Sequence, residues 1–101
     1  MNDKKWDEIR LAMHGLGELA PQWRTRDLVS GYVSEWDAEW FYHFSVGGYE
    51  TVEWLEIASA SMAQREAVLN ALVKIHVPGE ATESGFKVFG HMPDGAGVGY
   101  L

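Results

Sequence analysis

The sequence predicts a two-layer α+β domain in which two helices cover one face of an antiparallel sheet. Two segments have the spacing of amphipathic helices, one at the N-terminus and one after residue 60. β-favouring runs lie between and after them, and the pair Gly47-Gly48 separates two of these runs. The predicted order is α-β-β-β-α-β. The length of 101 residues and the 47% hydrophobic content are those of one globular domain, residues 1–101.

The first helix is predicted over residues 3–19. Its apolar side chains recur every three or four residues and form one stripe, made of Trp6, Ile9, Met13 and Leu16. Asn2 or Asp3 can cap its N-terminus. Two glycines weaken its last turn and Pro21 prevents its continuation, so the helix can end as early as His14.

Residues 23–29 predict the first strand. Residues 40–45 and 51–57 are rich in aromatic and β-branched residues and flank Gly47-Gly48, a pattern that predicts a β-hairpin. The second helix begins at a capping box formed by Ser61 and Gln64 and ends before Pro78-Gly79.

Residues 85–90 predict a further short strand. The stretch from Pro93 to Gly99 is predicted to be a glycine-rich loop, and residues 100–101 can return to the sheet. The glycines of this stretch lack the lysine and the following helix of a phosphate-binding loop.

A turn at Gly47-Gly48 would give the predicted hairpin two distinct faces. One face pairs Trp40 with Leu55, Tyr42 with Glu53 and Phe44 with Thr51; we predict that it packs on the helices because it has more apolar bulk. The other pairs Phe41 with Trp54, His43 with Val52 and Glu39 with Glu56, and Glu50 lies near it. A shift of one residue in the register would exchange the two faces.

The negative charge is concentrated in the middle of the chain. Residues 27–61 contain seven acidic residues, no Lys or Arg, and eight of the thirteen aromatic residues. The formal net charge of the whole chain is −7. Such a surface fits a basic protein partner, because complementary charge steers association. Arg24 and Arg26, which lie close to these acids in sequence, are expected to form internal ion pairs with them.

The second face of the hairpin is therefore the candidate partner-binding surface, made of Phe41, His43, Val52 and Trp54 with Glu39, Glu50 and Glu56 at its edge. Its partner would be a basic protein or a second copy of the chain. A homodimer would bring two acidic rims together and would need Arg24 and Arg26, or Lys87, to offset them.

The alternative is a small enzyme or small-molecule-binding protein that uses His43 with Glu39 or Glu56 in a sheet-lined pocket. No recognisable nucleophile or oxyanion donor accompanies these residues, so the sequence favours a protein that is not an enzyme. His76, Glu80 and Glu83 could supply metal ligands, but their spacing is more typical of a solvated loop. The sequence predicts no catalytic residues, no cofactor and no metal.

Nucleic acid and membranes are disfavoured as partners. Affinity for phosphates depends on Lys and Arg, which are outnumbered here by acids, 8 to 15. The N-terminus lacks the apolar core of a secretory signal, and no apolar run approaches the roughly 20 residues that span a bilayer. The absence of cysteine excludes disulfides and thiolate metal sites. We therefore predict a cytoplasmic location.

Three motifs resemble a small bacterial family of uncharacterised single-domain proteins. They are Trp36-x-x-Glu39-Trp40-Phe41-Tyr42-His43-Phe44, Val52-Glu53-Trp54-Leu55-Glu56-Ile57 and Ile75-His76-Val77-Pro78-Gly79-Glu80. The resemblance spans most of the chain from Trp6 to His91. It implies a bacterial, cytoplasmic setting and brings no activity, ligand or catalytic residue.

Overall fold

A computed structural model describes residues 1–91 and 99–101, and it confirms the α+β class. The described residues contain two α-helices, α1 (Asp3–His14) and α2 (Met62–Ile75). The four strands are β1 (Gln22–Asp27), β2 (Val52–Ala58), β3 (Gly79–Ala81) and β4 (Gly85–Phe89). Short 3₁₀ turns cover Gly17–Leu19 and His43–Ser45.

The four strands form one antiparallel sheet in the order β1-β2-β4-β3. Strand β2 is central: Leu55 lies between Thr25 of β1 and Val88 of β4. Side chains alternate between the two faces of a strand. The buried set Leu55, Ile57, Phe86 and Val88 therefore lies on one face, and the residues between them lie on the other, which we call the open face.

Both helices pack against the buried face. Trp6, Ile9 and Met13 of α1 and Val68 and Leu72 of α2 are all at most 1% exposed. They join the buried strand residues in a single hydrophobic cluster. This arrangement is the predicted layer of two helices on one face of the sheet.

The helix boundaries follow the capping residues identified in the sequence. The side chain of Asn2 accepts a hydrogen bond from the Lys5 amide, and α1 ends at His14, before the glycines. At α2, Ser61 Oγ accepts from the Gln64 amide, while Gln64 Oε1 accepts from the Ala60 amide at 2.6 Å. Ser61 thus satisfies a backbone donor of the first helical turn, and Gln64 satisfies the amide of the residue before the cap.

The predicted hairpin between residues 40–45 and 51–57 is wrong. Strand β2 forms at Val52–Ala58, but β1 and β4 already occupy both of its edges. Residues 40–45 therefore cannot pair with it, and they form a loop that contains a 3₁₀ turn. Gly47 and Gly48 have φ angles of 82° and 78°, a left-handed conformation that favours glycine, and they belong to this loop rather than to a hairpin turn.

The C-terminal part of the sheet contains one strand that the sequence did not predict. β3 (Gly79–Ala81) is only three residues long and pairs with β4. Tyr100 forms a bridge with Pro78, and the Leu101 amide donates to the Val77 carbonyl, so residues 100–101 do return to the sheet. The predicted glycine-rich loop lies outside the described residues, apart from Gly99.

We expect Leu55→Ala and Leu72→Ala each to lower the free energy of unfolding by about 2–5 kcal/mol, because each leaves a cavity in the core. Both side chains are fully buried. Urea denaturation measures the loss, and Leu11→Ala is the matched control because Leu11 is 50% exposed on α1. A loss below about 1 kcal/mol at Leu55 or Leu72 would contradict their placement in the core.

Candidate interaction surface

The connection between β1 and β2, residues 28–51, is the most distinctive part of the surface, and we call it the acidic loop. It contains Glu35, Asp37, Glu39 and Glu50 and no Lys or Arg. Its first residues run beside the outer edge of β1: Trp23 and Asp37 exchange two backbone hydrogen bonds, and the Ser34 amide donates to the Thr25 carbonyl. The loop therefore covers an edge that a neighbouring chain could otherwise pair with.

An aromatic cluster holds the acidic loop on the domain. Phe44 lies at the centre of the cluster, with ring centroids 4.9 Å from Trp40, 5.1 Å from Trp23 and 6.0 Å from Trp6. Tyr49 stacks on Trp6 at 5.9 Å. All five rings are at most 9% exposed. Aromatic rings bury a large area each, so this cluster stabilises the loop as well as the core.

Two indole nitrogens and one phenol of the cluster donate hydrogen bonds. Trp40 Nε1 donates to the Pro21 carbonyl at 2.8 Å, and Trp23 Nε1 donates to the Glu39 carbonyl at 3.0 Å. The phenol of Tyr49 donates to Asp7 of α1 at 2.7 Å. Desolvation and the neighbouring Asp7 carboxylate raise the pKa of Tyr49 to about 12, so this phenol keeps its proton.

Carboxylates organise the backbone of the loop. Glu39 accepts hydrogen bonds from the amides of Phe41, Tyr42 and His43, at 3.1, 2.8 and 2.7 Å. Hydrogen bonds from these amides lower the pKa of Glu39, and the bond from the His43 amide has the largest effect. Glu39 therefore acts as the cap of the 3₁₀ turn that carries Phe44 into the core.

Asp37 links the backbone of Glu39 to the side chain of His43. Its carboxylate accepts from the Glu39 amide at 2.8 Å and lies 2.9 Å from His43 Nδ1. The amide of Glu39 and the imidazole of His43 lower the pKa of Asp37. Asp37 and Glu39 are thus held in their charged form, which maintains the negative potential of the loop.

Asp27 fixes the start of the loop in the same way. Its Oδ2 accepts from the amides of Val29 and Ser30, at 3.1 and 2.8 Å, and from the Ser30 hydroxyl at 3.0 Å. The backbone amide of Ser30, followed by the Thr51 side chain, lowers the pKa of Asp27 from 3.8 to about 2. Asp27 therefore stays charged well into the acidic range.

Large apolar side chains of this anchored loop point to solvent. Val29 is 82% exposed and Val46 is 74% exposed, and Tyr32 and Val46 line one shallow pocket of about 230 Å³. Six of the eleven exposed large hydrophobic residues in the described part of the chain lie here: Leu28, Val29, Tyr32, Trp36, Tyr42 and Val46. The loop thus combines exposed apolar groups with acidic residues and contains no Lys or Arg of its own.

The open face of the sheet differs from the acidic loop because its charges are paired. Arg24 Nε lies 2.7 Å from Glu56, and Arg26 Nε lies 3.0 Å from Glu53. A register shift in the β1–β2 pairing inserts Glu53 as an extra residue opposite Arg26 and Asp27. These contacts confirm the predicted internal ion pairs, and they are worth little stability each because the partners are partly exposed.

The structure separates the residues that the predicted hairpin face would have brought together. Only Trp54 and Glu56 lie on the open face. Val52 packs against the core, and Phe41 packs against α1, with the Arg10 guanidinium 4.9 Å from its ring. Glu39, His43 and Glu50 belong to the acidic loop. The predicted pairs Phe41–Trp54, His43–Val52 and Glu39–Glu56 do not form, because the strand that would align them does not form.

The structure brings two residues of the predicted small-molecule site together and places the third elsewhere. Glu39 accepts from the His43 amide, while the His43 imidazole contacts Asp37. Glu56 pairs with Arg24 on the open face. The contact of Asp37 with His43 was not predicted from the sequence, although Asp37 lies two residues before Glu39 and six before His43. His76 caps the end of α2 and stacks on Tyr100, while Glu80 lies on β3. Within the described ranges no cluster of three such side chains could hold a metal ion.

The low pKa of Asp27 predicts a pH-dependent contribution to stability. Because the pKa is lower in the folded protein than in the unfolded chain, the contribution is complete above about pH 4 and disappears as the pH falls towards 2. We expect Asp27→Asn to show a shallower fall of unfolding free energy over this range than the wild type.

Urea titrations at a series of pH values measure this slope. Glu66→Gln, a change at an exposed acid of α2, is the control and should keep the wild-type slope. An unchanged slope in Asp27→Asn would show that the hydrogen bonds to Asp27 do not bias its ionisation.

Comparison with known proteins supplies a family and no activity. Among the described residues, no helix is long and apolar enough to cross a membrane. Neither the curated proteins nor the solved structures gave a match. A family model described as a family of unknown function, DUF6678, matches residues 1–95. Since this match covers nearly the whole chain, the protein belongs to the DUF6678 family.

Proposed function

We propose that the protein is a non-enzymatic interaction domain whose acidic loop binds a protein with a basic surface. The observation that carries this proposal is the combination of exposed apolar groups and acidic residues in one anchored segment without Lys or Arg. Tyr32 and Val46 of this segment line one pocket, and apolar area exposed in one place often marks a binding site. The proposal keeps the acidic and aromatic character predicted from the sequence but moves the surface from the sheet to the loop.

The loop is suited to binding because its conformation is fixed before a partner arrives. Hydrogen bonds to Asp27, Asp37 and Glu39 define its backbone, and the aromatic cluster attaches it to the core. A surface that is already ordered loses less conformational entropy on binding. Tyr32 and Tyr42 offer large side chains of the kind that contribute most at interfaces.

The partner's chemistry follows from the charge of the loop. Glu35 and Glu50 are exposed, and Asp37 and Glu39 are held in their charged form. A partner that brings Arg or Lys to these positions gains complementary charge, while nucleic acid would be repelled. The cytoplasmic location and the bacterial setting suggested by the sequence are part of this proposal.

One feature favours the alternative of a small enzyme or small-molecule-binding protein. His43 is exposed and its Nδ1 contacts Asp37 at 2.9 Å, an arrangement that can orient an imidazole for proton transfer. The described residues next to this pair provide no recognisable nucleophile or oxyanion donor. His43→Ala distinguishes the two candidates, because an interaction through the apolar groups should survive this change.

We expect Val29→Ser combined with Val46→Ser to abolish capture of a basic partner from cells that produce the protein. The matched control is Met62→Ser combined with Val73→Ser, which removes two exposed apolar side chains of α2, 87% and 50% exposed. Both variants should unfold within about 0.5 kcal/mol per site of the wild type, since all four sites are on the surface.

The readout is affinity capture followed by identification of the retained proteins. The proposal requires a basic protein that the wild type and the α2 control retain and the loop variant loses. Retention by the loop variant as well, or a partner that is itself acidic, would contradict it.

A further inference from the structure

A row of alternating charges crosses the open face of the sheet. Backbone pairing places Arg24 opposite Glu56, Glu56 opposite Lys87, and Lys87 opposite Glu80. All four side chains lie on the face opposite the core, because their strand neighbours Leu55, Ile57, Phe86 and Val88 are buried. From β1 to β3 the row therefore reads positive, negative, positive, negative.

Apolar and small residues flank this row on either side. On one side of the charged row, two residues along the strands from Glu56 and Lys87, Trp54 pairs with Phe89. Two residues along on the other side, Ala58 pairs with Gly85. Lys87 Nζ lies 4.6 Å from the centroid of the Trp54 ring, which holds the lysine over the aromatic pair. Across β1 and β2, Arg26 pairs with Trp54 and Gln22 pairs with Ala58, so each flanking row also carries one polar side chain.

We propose that this face pairs with the same face of a second copy of the chain, about a two-fold axis that runs parallel to the strands between β2 and β4. Rotation about this axis reverses the order of the strands and keeps each row at its own level. Arg24 of one copy then meets Glu80 of the other, and Glu56 meets Lys87. The aromatic rows also meet, with Trp54 of one copy against Phe89 of the other.

Charge complementarity selects this axis over the other two-fold arrangement. An axis along the charged row would place each residue opposite its own copy, so Arg24 would face Arg24 and Glu56 would face Glu56. Like charges placed directly opposite one another are destabilising. The register of the sheet therefore favours one orientation of the second copy.

The charges on this face also avoid the repulsion between acidic rims that was expected of a homodimer. An acidic patch repeated by symmetry would repel itself. Here Arg24, Arg26 and Lys87 lie on the same face as Glu53, Glu56 and Glu80, so the formal charges of these six side chains cancel. In the described part of the chain neither Lys87 nor Glu80 has an ion-pair partner within 4 Å, and each can therefore pair with the second copy.

The size of the face predicts weak association. Four strands about 4.8 Å apart and five residues of about 3.3 Å rise give a face of roughly 19 by 17 Å. The area of such a face is less than the roughly 800 Å² per partner that stable complexes bury. We therefore expect a dimer that forms only at micromolar or higher concentrations. The Arg24 guanidinium lies 4.6 Å from the centroid of the Trp36 ring, so the acidic loop borders this face. The test measures self-association alone, without a basic partner.

Sedimentation equilibrium with complementary charge variants tests the proposal. Glu80→Lys places a second cation against Arg24, and Arg24→Glu places a second carboxylate against Glu80. Each variant alone should weaken self-association by more than about tenfold, because symmetry repeats the repulsion twice. An equimolar mixture of the two variants should associate again, because in the mixed dimer positions 24 and 80 of the two copies carry opposite charges at both contacts. Glu83→Lys makes the same charge change at an exposed loop residue and should associate like the wild type.

Trp54→Ala tests the aromatic row in the same experiment. It should weaken self-association at least about tenfold while circular dichroism shows the folded domain, because Trp54 is outside the core cluster. A wild type that stays monomeric up to about 1 mM, a concentration at which even weak complexes associate, would overturn the proposal. Self-association that is unchanged in Glu80→Lys, or a mixture that fails to recover it, would also overturn it.

Discussion

The burial of Trp40 and Phe44 against Trp6 and Trp23 is the interaction on which the rest of the structure depends. It draws the middle of a long connection onto the start of α1 and onto β1. Once residues 40–45 are held in this cluster, they cannot act as a strand beside β2. The central strand is then paired on both sides by segments distant in sequence, β1 and β4.

The same interaction separates the charges of the domain into two kinds of surface. On the open face of the sheet, acids alternate with Arg24, Arg26 and Lys87 and are balanced by them. In the acidic loop no Lys or Arg is present, and Asp37 and Glu39 bind backbone amides and His43 instead. One surface is therefore close to neutral, as the proposed self-association requires, whereas the other is acidic, as the proposed basic partner requires.

Local signals in the sequence were sufficient for several elements. Asn2, Ser61 and Gln64 marked the helix starts, and the glycines after His14 marked the end of α1. These features act within one or two turns of a helix, so neighbouring residues determine them. The strand over Gly85–Phe89 and most of β1 could be predicted for the same reason.

The long-range arrangement could not be predicted from local pattern. Residues 40–45 have strong β propensity, but propensity reflects burial in general and not the partner that provides it. Phe44 packs on Trp6, far earlier in the chain, and both Phe44 and Trp40 pack on Trp23 of β1, contacts that no local window contains. The same holds for the candidate surfaces. Their acidic and aromatic composition could be read from the sequence. That Arg24, Arg26 and Lys87 lie on one face of the sheet depends on the register of strand pairing, which the sequence did not show.

Nuclear Overhauser contacts of the Phe44 ring in solution test the aromatic cluster most directly. The structure predicts contacts from this ring to the indoles of Trp6, Trp23 and Trp40, whose centroids lie within 6.0 Å of it. It also predicts backbone contacts between Leu55 and both Thr25 and Val88. Cross-strand backbone contacts between residues 40–45 and 51–57, the signature of a hairpin about Gly47-Gly48, would contradict it.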